Sequence, residues 1–191
     1  MPYDAILWGI ALAATAGLRL FMPFLFLGAV ARYANVPAPD MLAWTASDTG
    51  FVLLVIATLV EVLGDKIPAV DHALDAVATI LKPLAGLILP AALLYDLSPE
   101  GAWTLGIIAG APLAFGVHAT KAGTRAVSSA TTLGVGNPLV SVVEDVLAVV
   151  LLILTLLAPI FAFALVVFLC VLAVRAWRRV RRRARSARQT G

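Results

Sequence analysis

The chain reads as an all-α, polytopic membrane protein with about six transmembrane helices, and three observations lead there. Hydrophobic residues fill 62% of its 191 positions and charged ones only 13%, with a mean hydropathy of +1.01, far above an ordinary soluble domain. Apolar runs approaching or exceeding bilayer length recur between short polar passages. The last run ends in R-A-W-R-R-V-R-R-R-A-R, a stop-transfer signal that the positive-inside rule puts in the cytoplasm. The expected organisation is one transmembrane domain over residues 1–177 and a basic cytoplasmic tail over 178–191, with no room for a sizeable soluble domain.

The N-terminus, M-P-Y-D-A-I-L-W, lacks the basic start of a signal peptide, so the first apolar run, Ala5 to Arg32, is expected to stay as a first span. It is longer than a bilayer core requires, and Gly17, Arg19 and Pro23 predict a kink or break within it. Arg19 then lies well inside the membrane zone. It either snorkels to an interface or faces inward with a partner, and the second reading is favoured. Tyr33 to Gly50 is a loop. Phe51 to Leu63 is a second span with Glu61 in its last turn, followed by the dense polar passage D-K-I-P-A-V-D-H-A-L-D.

Val77 to Tyr95, interrupted by Lys82, Pro83 and Pro90, predicts a third span, and Asp96 to Glu100 an acidic turn. Trp103 to Val117, rich in Gly and Ala, predicts a fourth span able to approach its neighbours closely. Pro138 to Leu157 and Pro159 to Trp177 predict the last two, with a tight turn at Ala158. Residues 126–137 are too rich in Ser, Thr and Gly for a regular lipid-facing helix. They are expected to form a re-entrant or cavity-lining segment, or else an ordinary cytoplasmic loop.

Eight of the fourteen basic residues lie between Arg175 and Arg188, so the body of the chain carries six basic against eleven acidic residues. Counting spans back from a cytoplasmic tail puts Gly64 to Asp75, Lys121 to Asn137 and the N-terminus on the cytoplasmic face. Three spans followed by three of opposite direction suggest an inverted repeat, and A-G-L-R at Ala16 to Arg19 echoes A-G-T-R at Ala122 to Arg125.

That topology brings two polar passages to one side. The candidate site residues are Arg19, Asp65, Lys66, Asp71 and Asp75 from the first half, and His118, Lys121, Arg125, Asn137, Glu144 and Asp145 from the second. His118, Lys121 and Arg125 stand at i, i+3 and i+7, one basic stripe on a helix. Glu144 and Asp145 follow Pro138 by six and seven residues, which carries them about 10 Å inward on a helix begun there. Adjacent residues cannot face one point, so these two carboxylates are expected to serve different partners.

Carboxylates at that depth must be paired, hydrated or protonated. Two arrangements satisfy this: ion pairs that lock helices together, or a cavity open to the cytoplasm in which cations receive an anionic group. The functions to match are a small transporter or flippase-like protein for an anionic solute or lipid headgroup, a structural or accessory membrane protein, and a membrane enzyme acting on lipid. The partners implied are the bilayer itself, anionic lipid at the tail, and a small anionic solute or lipid as substrate.

No cofactor and no nucleic acid is expected. The chain carries no Walker A sequence, dinucleotide fingerprint or G-x-S-x-G elbow. His72 with Asp71 and Asp75 makes no specific zinc signature. Cys170 stands alone in an apolar run, so internal disulfides are excluded.

The runs G-L-R-L-F-M-P-F-L at Gly17 to Leu25, D-K-I-P-A-V-D-H at Asp65 to His72, and G-V-H-A-T-K-A-G-T-R followed by N-P-L-V-S-V-V-E-D are together distinctive. They resemble the bacterial membrane family DUF4126 from about Gly9 to Trp177. The resemblance implies a multi-span domain in the bacterial inner membrane and supplies no substrate, cofactor or catalytic assignment.

Overall fold

The computed structural model describes residues 2–34 and 36–189, with side chains described throughout except at 2, 68–73 and 180–189. Asp71, His72 and the tail side chains beyond Arg179 lie outside the described residues, and with them the expected roles of Asp71 and the tail. Among the described residues the regular structure is entirely helical: α1 (Pro2–Leu18), α2 (Met22–Tyr33), α3 (Asp48–Gly64), α4 (Pro68–Leu94), α5 (Pro99–Leu105), α6 (Ala111–Thr132), α7 (Asn137–Leu157) and α8 (Pro159–Gln189). A 3-10 turn over Asp40–Ala46 precedes α3, and a π-turn over Gly106–Gly110 joins α5 to α6.

Helix starts follow local chemistry. Pro68, Pro99, Pro138 and Pro159 stand in the first turn of α4, α5, α7 and α8, where a missing N–H leaves no bond unmade. Ser47 and Ser98 cap α3 and α5 by accepting from Gly50 N at 3.1 Å and Gly101 N at 3.2 Å.

The bundle is built around α1. Its stretch A-L-A-A-T-A has almost no exposed surface, and its small side chains let neighbours approach from every side. On one flank Leu12 and Ala16 pack with Ala85, Leu89 and Ala92 of α4 and Leu27 of α2. On the other, Ile10, Ala14 and Leu18 pack with Ala148 and Leu151 of α7 and Val166 of α8. Gly86 of α4 meets Gly110 at the π-turn so closely that a Cβ on either would strike the other's backbone.

The first expectation to be corrected concerns residues 5–32. The expected break is present at Arg19–Phe21, but it separates two helices rather than kinking one span. The rings of Trp8 and Phe26 lie 5.8 Å apart, and Asp4, Trp8, Leu27 and Val30 line one cleft, so α2 folds back along α1 as a helical hairpin. Leu93, Leu156 and Pro159 line the same cleft. The start of α1 thus lies where α4 and α7 finish and α8 begins, at the end of the bundle opposite the α8 arginines. Apolar length alone could not distinguish a bend from a reversal.

Among the described residues, four helical stretches are long and apolar enough to cross a membrane: Leu74–Leu94, Pro99–Thr132, Asn137–Leu157 and Pro159–Arg179. They become five if Asp40–Ala46 and Asp48–Gly64, bent by 77°, act as one. Six spans were expected; the difference lies in α1 and α2, of 17 and 12 residues, each shorter than a bilayer core. Among α5–α8 no second hairpin answers α1–α2, because the π-turn keeps α5 and α6 in one 34-residue run. Neither six spans nor the 3+3 inverted repeat is confirmed by this arrangement.

Residues 126–137 are corrected too. They continue α6 as an ordinary, largely exposed helix end and turn into α7 through Leu133 (φ 53°) and Gly134 (φ 87°). Their hydroxyls are satisfied locally, Thr132 Oγ1 donating to Ser128 O at 2.7 Å and Thr131 Oγ1 to Val127 O at 2.9 Å. Such back-bonding lets a polar sequence remain helical, so neither a re-entrant loop nor a cavity lining is formed.

Candidate functional site at the hairpin tip

The α1–α2 reversal spans only Arg19, Leu20 and Phe21, and its two helix ends are capped from other helices. Glu61 of α3 accepts from Leu20 N at 2.7 Å and Phe21 N at 3.2 Å, setting a carboxylate at the N-terminus of α2. Lys82 of α4 donates to Leu18 O at 3.0 Å, setting an ammonium at the C-terminus of α1. Each charge complements the helix end it meets. Together they satisfy backbone groups that would otherwise be orphaned in an apolar interior.

Arg19 projects from this tip into a buried ion network. Its guanidinium pairs with Asp65 in the α3–α4 turn and with Asp145 of α7 at 2.6 Å. It also donates to Ser141 Oγ at 3.1 Å. From α6, Lys121 Nζ lies 2.9 Å and Arg125 3.0 Å from the same Asp65 oxygen, Oδ2, that Arg19 contacts. Glu144 closes the group, 3.1 Å from Arg125 and 3.5 Å from Lys121. Asp145 turns the other way to Lys66, at 3.3 Å.

The stripe expected on α6 is present, since His118, Lys121 and Arg125 are buried while Ala119, Thr120 and Ala122–Thr124 are exposed. It divides in use. His118 stays out of the ion network and meets Thr79 of α4, with Nε2 3.2 Å from Oγ1. Thr79 gives its single proton to Asp75 O, so His118 Nε2 carries the hydrogen between them. Nδ1 of His118 is buried without a hydrogen-bond partner.

The two expected polar passages thus converge: Arg19, Asp65, Lys66, Lys121, Arg125, Glu144 and Asp145 form one contiguous network. Glu144 and Asp145 divide their principal partners, as their adjacency on α7 requires. Asp75 contributes a backbone carbonyl beside His118, and Asn137 opens α7, where its amide donates to Ser129 Oγ at 2.9 Å. Three participants are not among the candidate site residues, although sequence groups Glu61 with the polar passage that ends at Asp75. Ser141 carried no signal, but Glu61 and Lys82 did, as ionisable residues within or at the end of apolar runs.

The network is packed rather than open. Arg19 has no exposed surface, and Asp65, Lys121, Arg125 and Glu144 are each at most 5% exposed. Exposure rises only at its rim, to 20% of the Asp145 side chain and 35% of Lys66. Burial alone would raise the Asp65 carboxyl, but the Lys121, Arg19 and Arg125 charges outweigh it and hold the group well below the usual carboxylate range. Among the described residues no three of His, Cys, Asp and Glu gather as a metal-holding group. This geometry can hold one anionic oxygen among several cations, or tie four elements together through charge.

A search of curated proteins and a search of solved structures returned no match. The family model described as a domain of unknown function, DUF4126, matches residues 6–179. Matched over nearly its whole length, and carrying the helices of a multi-pass membrane protein, the chain belongs to the DUF4126 family.

Proposed function

We propose that the protein is a small membrane transporter or flippase-like protein that handles an anionic solute or lipid headgroup at the hairpin tip. The observation that carries this reading is the meeting of Arg19, Lys121 and Arg125, from two separate elements, on a single oxygen of Asp65. Side chains at most 5% exposed include four cations, Arg19, Lys82, Lys121 and Arg125, against three carboxylates, Glu61, Asp65 and Glu144. Asp145, paired with Arg19, brings the carboxylates to four as well, so an anion enters only where one of them gives up its place. A broken helix whose ends meet side-chain charges is also how helix termini come to serve as ion sites inside a membrane. In this reading the α8 arginines face the cytoplasm and anionic lipid of the inner membrane, and the network is the closed state of a cytoplasm-facing gate.

Purified protein in liposomes, loaded with proton or sodium gradients and assayed against panels of labelled anions, tests the proposal. Uptake should fall at least tenfold in Arg125→Ala and in Glu144→Gln. Equal uptake by wild type and both variants would remove these residues from the site.

A second reading, that the network only locks helices, is favoured by Glu61 and Lys82, which serve backbone ends rather than an open site. It predicts that Glu144→Gln lowers the melting temperature with no transport to lose.

A further inference from the structure

We propose that Asp65 is a tethered substitute anion, occupying an oxyanion seat formed by Arg19, Lys121 and Arg125 that a free phosphate-type oxyanion takes when Asp65 leaves it. This rests on the ligand-handling reading of the network and adds the ligand's chemical class and its route in.

Four observations converge. Asp65 Oδ2 meets all three cations, and more closely than Glu144 Oε2, which stands 4.0 Å from Arg19, 3.5 Å from Lys121 and 3.1 Å from Arg125; this is the crowding expected at an anion's position rather than of a simple pair. Withdrawing Asp65 removes one negative charge from beside the buried Arg19, Lys121 and Arg125, and one negative guest restores it. Arg19 Nε is buried and has no acceptor, a spare donor that a tetrahedral oxyanion, with more oxygens than a carboxylate, would engage. Finally, Asp65 is carried not by a helix interior but by the short α3–α4 turn, where Asp65, Lys66 and Ile67 donate back to Glu61, Leu63 and Gly64. Moving the carboxylate with that turn breaks these three hydrogen bonds and leaves the bonds within α3 and α4 in place.

The route follows the gradient of exposure. Lys66 is the outermost charge, Asp145 the next, and Arg19 is wholly buried behind them. Lys66 is also Asp65's chain neighbour, so the movement that withdraws the carboxylate also shifts Lys66 away from Asp145. Vacating the seat and opening its rim become one motion. The shared chemistry is a singly charged phosphate oxyanion, whether dihydrogen phosphate from solution or the phosphodiester of a lipid headgroup.

The test is anion rescue of Asp65→Asn in detergent. The variant should melt lower than wild type, and inorganic phosphate should restore most of the loss saturably, while chloride at equal ionic strength does not. Its phosphate affinity should exceed that of wild type at least tenfold, and Arg125→Gln added to it should abolish binding. In a lipid arm, nanodiscs containing phosphatidylglycerol should rescue the variant relative to phosphatidylcholine alone if the guest is a headgroup. Rescue by soluble phosphate alone assigns a free solute.

If Asp65→Asn does not fold, the wild type decides: phosphate should raise its melting temperature above the chloride control, and Arg125→Gln should erase that difference. Absence of any phosphate- or phosphatidylglycerol-specific effect would overturn the seat. Because these are binding measurements, specific binding without uptake would keep the seat and sink the transport reading. Uptake without specific binding would do the reverse.

Discussion

Arg19 is wholly buried, so its charge persists in the interior only because carboxylates on two sides and Ser141 meet it. Removing one partner from such a pair leaves the other charge uncompensated in a medium that solvates it poorly. Arg19→Ala should therefore destabilise the fold by about 3–5 kcal/mol, read as a large drop in melting temperature in detergent. Arg32→Ala, which removes an exposed pair with Asp48, a bond to Ala46 O and a contact with the Phe51 ring, should lower the melting temperature far less. Similar losses from both would show that burial of the network contributes nothing.

Asp65 makes the same point through pH. Its folded-state pKa is depressed from the ordinary 3.8 by the cations around it, so the unfolded chain takes up a proton at a higher pH than the folded one does. Its contribution to stability is full above 3.8 and is lost as pH falls from there through the lowered folded value. The melting temperature should show no Asp65-dependent slope between pH 7 and 5 and should fall below about 4. In Asp65→Asn that acid-side component should vanish; an unchanged acid slope would assign it to other carboxylates.

At the scale of the element, close packing of α4 on α6 depends on positions with no side chain. A Cβ at Gly86 would strike the Gly110 carbonyl and crowd Ala114, whereas one at Gly116 or Gly123 would meet nothing within 4 Å. Gly86→Ala should cost about 1–3 kcal/mol through overpacking. Gly116→Ala and Gly123→Ala should be neutral or stabilise by about 0.4–1 kcal/mol, because alanine restricts the unfolded chain. Melting curves of the three variants side by side would check the contact, and a neutral Gly86→Ala would disprove it.

Elements also differ in how far they depend on others. α7 and α8 have apolar length enough to be located from their own residues; α8 begins at the proline that marked it, and α7 one residue before Pro138. α1 and α2 do not. Their separation at Arg19 was foreseeable from Gly17 and Pro23, but the direction taken after the break depends on Glu61 and Lys82, far away in the chain.

For the whole molecule, the hairpin has a consequence that labelling can read. Tyr3 and Leu97 lie at one end of the bundle and the α8 arginines at the other. In a Cys170→Ser background, Tyr3→Cys and Leu97→Cys should react with an impermeant thiol reagent from the same side of oriented vesicles. Arg178→Cys should react only from the opposite side. Labelling of residues 3 and 178 from one side would restore the six-span arrangement and remove the hairpin.

Composition and periodicity are local properties, and they were enough for what local physics governs. A chain this apolar must bury its backbone polar groups in helices, so the helical membrane class, the limits of α7, the α6 stripe of His118, Lys121 and Arg125, and the divergence of Glu144 from Asp145 could all be read without coordinates. Other features belong to pairs of residues distant in the chain. That Asp65 meets Arg19, Lys121 and Arg125 on one oxygen, that α1 reverses instead of bending, and that 126–137 closes as a plain turn each depend on which surfaces meet. A lone arginine in an apolar run announces that it needs a partner, but only three-dimensional packing selects one, because Coulomb attraction depends on distance in space and not on separation along the chain.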